Sequence, residues 1–598
     1  MSADLGWVSP RSITNASPTK GIGVAGMSSV KHFSGRRPKS RERLLTRVLG
    51  VVAVGVVAVG VLAAAACSPV GQETDSGAGD NSAKPDETGA ARTTNVGEPA
   101  DPAAVEEGGE LTLALSADPD LLDPSLARSL YSRYIFNATC EKLYDTDAEA
   151  KVVPQLATDL PEVSADGKTV TIKVRTGIKF GDGTPFNAAA VKTSLDRNLT
   201  LPESARVSEL GPITKVEAPD DETVVIHLSA PFAPLTAALA DRAGMVMSPA
   251  QLDKLGDKFA TAPICVGAFK VVKRVPQNSI ELEKDPNYYD AEEVHLDRIV
   301  YRVITDASIR SANLRSGDAQ VADSVSTQDV AALEKEQAIT LLESESLGYQ
   351  GVTFNIGNTD GVTEPAKQID KPHAKDAKVR QAFDHAIDRE ALVKTVFADL
   401  YSVACSPISP ATEFTSDAAQ ECRAHDPAKA KELLEEAGVK TPYKIEMLAT
   451  NTPDALRIAQ ALQAMVKSSG FEIVITPTEF STLLDQQDRG DFELLQLGWS
   501  GRVDPDANIT NFVGTQASQN VSGFSDPELD DLLTKARQSQ DTAERAELYG
   551  QVATTLREQE PLIYLYRARN LTGVSDDVKG VQVFPDGVIR VARAGLTK

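Results

Sequence analysis

The chain has 598 residues, of which 41% are hydrophobic and 24% charged, and its formal net charge at pH 7 is −24. This length is ample for a large hydrophobic core and is typical of several domains. The acidic balance argues against nucleic acid as a partner, because phosphate binding needs clustered lysine and arginine.

The first recognisable segment has the pattern of an export signal. A basic stretch at 36–47 precedes an uncharged apolar run at 48–66, and Cys67 follows three alanines. This order is typical of a secretory leader. The junction resembles a lipoprotein signal, in which Cys67 would be lipidated and become the new N-terminus. It departs from the usual form at Ala64, where leucine is commonest.

The alternative interpretation of this segment is an uncleaved membrane anchor, since about 20 apolar residues suffice to span a bilayer. Both interpretations place residues 68–598 outside the cytoplasm, on the outer face of the cytoplasmic membrane. The true start is Met1 or Met27, because the residues before the basic stretch carry no helical or strand pattern.

Residues 68–107 are rich in small and polar side chains and have almost no large apolar residue. Such a segment cannot bury enough surface to offset its ordering entropy. It predicts a disordered tether between the membrane and the folded part. No second long apolar run follows, so any channel that the protein serves must be another polypeptide.

The remainder predicts a mixed α/β fold. Alternating apolar and polar residues predict strands at 170–175, 224–228, 280–282 and 562–566. Helical spacing predicts an amphipathic helix at 379–394 and another helix at 542–559. Asp426 and Pro427 are an N-cap and a first-turn proline, and Gly438 suits the C-terminal cap of the same helix.

Besides Cys67 the chain has four cysteines, and an even number in an oxidising compartment suggests two disulfides. Cys405 and Cys422 flank a polar loop, which favours their pairing and leaves Cys140 with Cys265. The other two pairings stay open at this point.

A series of short motifs runs collinearly through the folded region. They lie at 108–112, 122–124, 140–144, 153–157, 179–185, 263–269, 285–289, 353–355, 379–389, 426–438, 498–501, 504–506 and 522–524. In this order they resemble the large substrate-binding proteins of ABC importers, the peptide and nickel binding family that includes oligopeptide- and dipeptide-binding proteins.

The resemblance implies a two-lobed fold of the type II periplasmic-binding-protein kind that closes on its ligand. The first lobe would comprise 108–143, 265–347 and 570–598, with an extra subdomain inserted at 144–264. The second lobe would comprise 348–569. The chain crossings near Leu347 and Asn570 would form the hinge.

The segment after the apolar residues 494–497 is the predicted ligand contact. Gly498 and Ser500 expose backbone, and Trp499 offers a stacking wall. In peptide binders of the family, an aspartate shortly after the Gly-Trp pair captures the α-ammonium of the peptide. Arg502 stands at that position here.

A guanidinium at this position repels an ammonium and suits a carboxylate or a phosphate. Asp504 could take the ammonium if the loop is shifted. Alternatively, Arg502 has no ligand contact and pairs with Asp504 or Asp506.

The sequence shows no organised catalytic constellation. The segment 498–502 misses the nucleophile elbow because it ends in arginine rather than glycine. No HExxH or CxxC motif occurs, so neither a catalytic residue, a metal nor a cofactor is predicted.

The leading hypothesis is a lipid-anchored substrate-binding component of an importer, which delivers short peptides or a related polar solute to a separate permease and ATPase. An anionic ligand is the alternative within transport: a glutathione-like peptide, a phosphorylated sugar or an opine. An exported lipoprotein without a transport role is the alternative outside it.

Overall fold

The computed structural model describes residues 94–362 and 364–598. The predicted signal, Cys67 and the first part of the predicted tether lie outside the described residues. Within the described part of the chain, no helix is both long and apolar enough to cross a membrane.

A seven-stranded mixed sheet forms the centre of the first lobe, called lobe I. Glu110–Leu115 pairs in parallel with Arg298–Val303 and Val321–Ala322, and the other neighbours are antiparallel. In spatial order the strands are Ile339–Glu345, Arg569–Ser575, Val321–Ala322, Glu110–Leu115, Arg298–Val303, Ser279–Lys284 and Phe269–Val275.

An antiparallel four-stranded sheet belongs to the segment inserted between the first two long strands of this lobe. Its strands are Glu162–Val163, Thr169–Lys173, Thr223–Leu228 and Ile213–Glu217. Its apolar side shares one continuous core with the seven-stranded sheet, from Ile172 and Ile226 to Ile280 and Tyr301. The inserted subdomain is therefore packed rigidly onto lobe I.

Lobe II is built on a six-stranded sheet. Its strands, in spatial order, are Ser402–Val403, Leu562–Arg567, Tyr349–Phe354, Leu494–Trp499, Tyr443–Thr450 and Phe471–Thr478. Helices cover both faces of this sheet, so that Ile563 and Leu565 point into one core while Leu562 and Tyr564 point into another. Burial on both faces explains why the strand Leu562–Arg567 is almost continuously apolar.

Three ribbons and the helices complete the described chain. The ribbons pair Tyr144–Thr146 with Val152–Pro154, Val578–Lys579 with Gly595–Leu596, and Gln582–Val583 with Ile589–Arg590. The α-helices up to residue 347 are Leu130–Thr139, Ala188–Thr200, Val207–Leu210, Leu235–Ala238, Pro249–Leu255, Ala307–Ser316 and Val330–Leu333. Those of lobe II are Pro372–Lys375, Ala377–His385, Arg389–Phe397, Asp417–Gln420, Pro427–Glu436, Pro453–Lys467, Phe480–Arg489, Asp506–Val513, Pro527–Gln538 and Thr542–Gln559. Short 3₁₀ turns lie at Arg242–Gly244, Gly256–Thr261 and Ala291–Glu293.

The helix predicted at 379–394 is two helices, Ala377–His385 and Arg389–Phe397. The Asp388 side chain accepts a hydrogen bond from the backbone N–H of Ala391 and so caps the second helix. The apolar spacing continues across the break, which is why periodicity alone joined the two. The helices Pro427–Glu436 and Thr542–Gln559 are confirmed.

The predicted tether is wrong for its described end. Asn95 exchanges backbone hydrogen bonds with Glu343 at 2.9 and 2.7 Å, and the Val105 side chain is fully buried against Gly595. Contacts made by single residues such as Asn95 and Val105 order this segment, although its overall composition is typical of a disordered one.

The chain passes between the lobes twice, at 346–348 and at Ala568. Arg567 donates from Nη1 to the carbonyl of Gly348 at 2.7 Å and so ties the two crossings together. A side chain at Gly348 would collide with the carbonyl of Trp499, since its Cβ would lie 1.9 Å from that oxygen. The loop after the strand Leu494–Trp499 therefore packs directly on the crossings.

Two disulfides join Cys140 to Cys265 and Cys405 to Cys422. Beside the first, the buried carboxylate of Glu141 accepts hydrogen bonds from the hydroxyls of Tyr288 and Tyr289 at 2.6 and 3.0 Å. Burial raises the pKa of Glu141 to about 7 despite these hydrogen bonds.

Candidate functional site

A cavity of about 390 Å³ lies between the two lobes. Both crossings line it, and so do the ends of the parallel strands Tyr443–Thr450 and Leu494–Trp499, which meet at the same edge of the lobe II sheet. Clefts at this edge of α/β sheets are common ligand sites. The aromatic lining consists of Tyr131, Tyr134, Tyr349, Tyr401, Phe480, Trp499 and Phe512.

The lobes are closed on this cavity. At one side, Arg128 of lobe I forms an ion pair with Asp488 of lobe II, and the rings of Tyr131 and Phe480 meet edge to face at 5.6 Å. At another, the Ser208 hydroxyl of the inserted subdomain donates to Asn511 at 2.6 Å. The cavity is therefore enclosed by contacts that exist only when the lobes meet.

Asn508 holds the predicted ligand loop in place. Its Oδ1 accepts from Trp499 Nε1 at 3.0 Å and from the backbone N–H of Arg502 at 2.7 Å, and its Nδ2 donates to the Arg502 carbonyl at 2.9 Å. The Trp499 ring packs on Phe512 at 4.9 Å and is only 7% exposed. Gly498, Trp499 and Ser500 all line the cavity.

Arg502 is not among the lining residues. Its guanidinium lies 4.2 Å from the centre of the Trp499 ring, on which it stacks, and its Nε pairs with Asp241 of the inserted subdomain. The partner is thus neither Asp504 nor Asp506. The charge proposed for a ligand is instead used in an ion pair between the lobes.

This ion pair is part of a buried network. Asp241 also accepts from Arg133 Nε at 3.1 Å. Burial by itself would raise the pKa of Asp241, but Arg133 and Arg502 outweigh it and hold that pKa well below its ordinary value. Burial and the charge of Arg133 lower the pKa of Arg502 to about 10.

Asp504 and Asp506 also face away from the cavity. Asp504 pairs with Arg545 at 2.7 Å, and Asp506 pairs with Arg537 at the same distance. Both carboxylates are buried. Neither is among the lining residues. The two carboxylates instead join the loop to the helices Pro527–Gln538 and Thr542–Gln559.

Sequence reasoning missed the polar residues that do line the cavity. At the crossing, Arg569 pairs through Nε with Glu343 at 3.2 Å, and its buried Nη2 has no hydrogen-bond partner among the described residues. Gln519 is 7% exposed and its Nε2 also has none. No local motif marks these residues, because their position depends on how the lobes meet.

Lining charges are few and of both signs. Arg128, Arg310 and Arg569 are the basic residues, and Asp454 is the acidic one within the described part of the chain. The Arg310 guanidinium is hydrogen-bonded to the backbone, because it donates to the carbonyls of Asp323 and Ser324 at 3.1 and 2.8 Å. Among the described residues, no group of three or more histidine, cysteine or carboxylate side chains is arranged to hold a metal.

Two lobes that close on a polar and aromatic cavity define a solute-binding protein of the type II periplasmic kind. The profile of the bacterial extracellular solute-binding proteins, family 5 (middle), matches residues 151–520. The chain belongs to this family, whose members serve ABC importers as their substrate-binding component.

Known proteins similar to this chain agree with that assignment. The glutathione-binding protein GsiB of Pectobacterium atrosepticum is 29% identical over 502 residues, which are 82% of this chain and 94% of that protein. The periplasmic binding protein DppA of Helicobacter pylori, solved with the peptide STSA, is similar at a TM-score of 0.75 and 25% identity. It is covered to 99%, against 82% of this chain.

A further similar structure is AgaA of A. tumefaciens R10, solved with agropinic acid. Its TM-score is 0.74 and its identity 28%, over 82% of this chain and 99% of that one. These relatives are binding proteins for different small ligands.

Proposed function

We propose that this chain is a lipid-anchored receptor that binds a short peptide, or a related small zwitterionic solute, and delivers it to a separate permease. The observation that carries the proposal is the closed cavity between the lobes. Its volume of about 390 Å³ lies at the small end of the usual range for ligand pockets. Closed lobes would enclose a small ligand in this cavity.

The cavity's polar groups suit a ligand with charges of both signs. Arg569 offers an unpartnered guanidinium nitrogen to a carboxylate. Arg128 lies at the cavity wall, where it is paired with Asp488. Asp454 supplies a negative charge. Gly498, Trp499 and Ser500 provide the aromatic wall, whereas Arg502 and Asp504 hold the loop.

The second candidate ligand is an anionic solute without an ammonium group. It is favoured by the basic excess among the lining residues and by the likeness to AgaA. We further propose that the two crossings, at 346–348 and at Ala568, are the hinge, close to the predicted boundaries of the lobes. The proposed anchor is Cys67, which follows the basic and apolar leader.

Calorimetry on the mature protein tests the ligand class. The probes are Met-Leu, the peptide Ser-Thr-Ser-Ala, reduced glutathione and agropinic acid. Native mass spectrometry of protein purified from its own host gives the mass of a co-purified ligand. Binding of a peptide probe supports the proposal, and binding of agropinic acid alone supports the anionic alternative. Failure of all four probes, with no small molecule co-purified, would refute it.

A further inference from the structure

Asp454 is distinguished by its surroundings in the cavity wall. It lies in the first turn of the helix Pro453–Lys467, directly after the strand Tyr443–Thr450. Thr450, Thr452 and Asp454 all line the cavity, and among the lining residues of the described chain Asp454 is the only carboxylate.

The two oxygens of the Asp454 carboxylate have different surroundings. Oδ1 receives Arg457 Nη2 at 2.8 Å and, from lobe I, the Ser326 hydroxyl at 3.2 Å. No hydrogen bond is made to Oδ2 within residues 94–362 and 364–598. The side chain is 35% exposed. The carboxylate is thus held from both lobes with one oxygen open.

Tyr401 lines the same cavity as Asp454. Its ring packs on two aromatic neighbours, Phe397 at 4.6 Å and Tyr566 at 5.7 Å. Burial, and after it the charge of Asp454, raise the pKa of the Tyr401 hydroxyl. A carboxylate and aromatic side chains that line one cavity are a favourable environment for an ammonium group.

We propose that Asp454, in the cavity that Tyr401 also lines, binds the ammonium group of the ligand and so selects solutes with a free amine. This inference rests on the proposed function and specifies how its ligand is oriented. The amine end lies at Asp454 and the carboxylate end at the free nitrogen of Arg569. If Asp454 had only a structural role, its carboxylate would interact with the helix N-terminus and with Arg457, and not with the ligand.

Calorimetry with Met-Leu, reduced glutathione and the N-acetyl form of each separates these roles. For whichever amine wild-type protein binds, Asp454→Asn raises the Kd by about 30-fold, the low end of the effect of truncating a charge pair that a bound ligand would bury in the cavity. The Kd of the N-acetyl form changes little. The preference for the free amine is therefore lost in the variant.

Two further variants serve as controls. Arg457→Gln removes the helix partner but leaves the carboxylate, so the preference for the free amine is retained. Glu528→Gln changes an exposed first-turn acid of the helix Pro527–Gln538 and leaves both Kd values unchanged. Circular dichroism and thermal melting of each variant report its folding.

Three results would overturn the inference. If Asp454→Asn still prefers the free amine over its N-acetyl form, the inference is refuted and the proposed function is unaffected. Loss of discrimination in Arg457→Gln as well means that Asp454 acts through its ion pair. If wild-type protein binds neither Met-Leu nor reduced glutathione, the inference and the peptide proposal are both refuted.

Discussion

The ion pair between Arg502 and Asp241 joins lobe II to the inserted subdomain of lobe I. Both side chains are almost fully buried, at 9% and 8% exposure. Substituting Arg502→Met removes the charge and keeps an apolar stem against the ring of Trp499. The substitution leaves Asp241 with its second partner, Arg133, at 3.1 Å.

Removing one partner of a buried pair costs about 3–5 kcal/mol when the remaining charge is left alone. Because Arg133 still neutralises Asp241, we expect a smaller cost than this, about 2–3 kcal/mol. The cost falls on the closed conformation only, since opening separates the two residues. The ratio of closed to open molecules then falls by about 30- to 150-fold.

Calorimetry with Met-Leu and with Met-Leu amide measures this effect. The Kd values of the two ligands rise by equal factors, because both ligands require closure of the lobes. Small-angle scattering shows a larger radius of gyration for ligand-free Arg502→Met than for ligand-free wild-type protein. Arg489→Met is the matched control, since its pair with Asp491 is about 60% exposed and such pairs contribute at most about 1 kcal/mol. A loss confined to Met-Leu, with its free carboxylate, would refute the reasoning and place Arg502 against the ligand.

The remaining predictions concern stability and the anchor. The pKa of Glu141 is raised to about 7 from 4.5, so native protein keeps a proton that unfolded protein loses, and stability falls by up to about 3 kcal/mol as the pH rises between these values. Glu141→Gln removes this contribution, and an equal pH slope in wild type and variant, from denaturant unfolding at pH 5 and pH 8, would contradict it. Replacing Cys405 and Cys422 by serine opens a loop with a sequence separation of 17 and lowers the free energy of unfolding by about 3 kcal/mol, whereas unchanged denaturation midpoints would exclude a stabilising role. Cys67→Ala, or globomycin, blocks maturation, and a mature N-terminus other than lipidated Cys67 in mass spectrometry would disprove the anchor.

Much of the fold could be predicted because the rules involved are local. Asp426 caps the helix Pro427–Glu436 through hydrogen bonds to N–H groups two and three residues away. The helix Thr542–Gln559 begins and ends where the sequence predicts. The same local reasoning failed at Asp388, because a break that preserves the apolar face leaves no trace in the periodicity.

The sequence by itself determined the mixed α/β class, the family through its collinear motifs, and the loop at 498–500 that lines the cavity. Only the tertiary structure decided which charges line the cavity. Arg502 and Asp454 have no local signature for their positions, and Asp454 has the same first-turn position as the solvent-exposed Glu528. Their partners, Asp241 and Ser326, belong to the other lobe. Such pairings follow from how the two lobes meet, and neighbouring residues in the sequence do not encode that geometry.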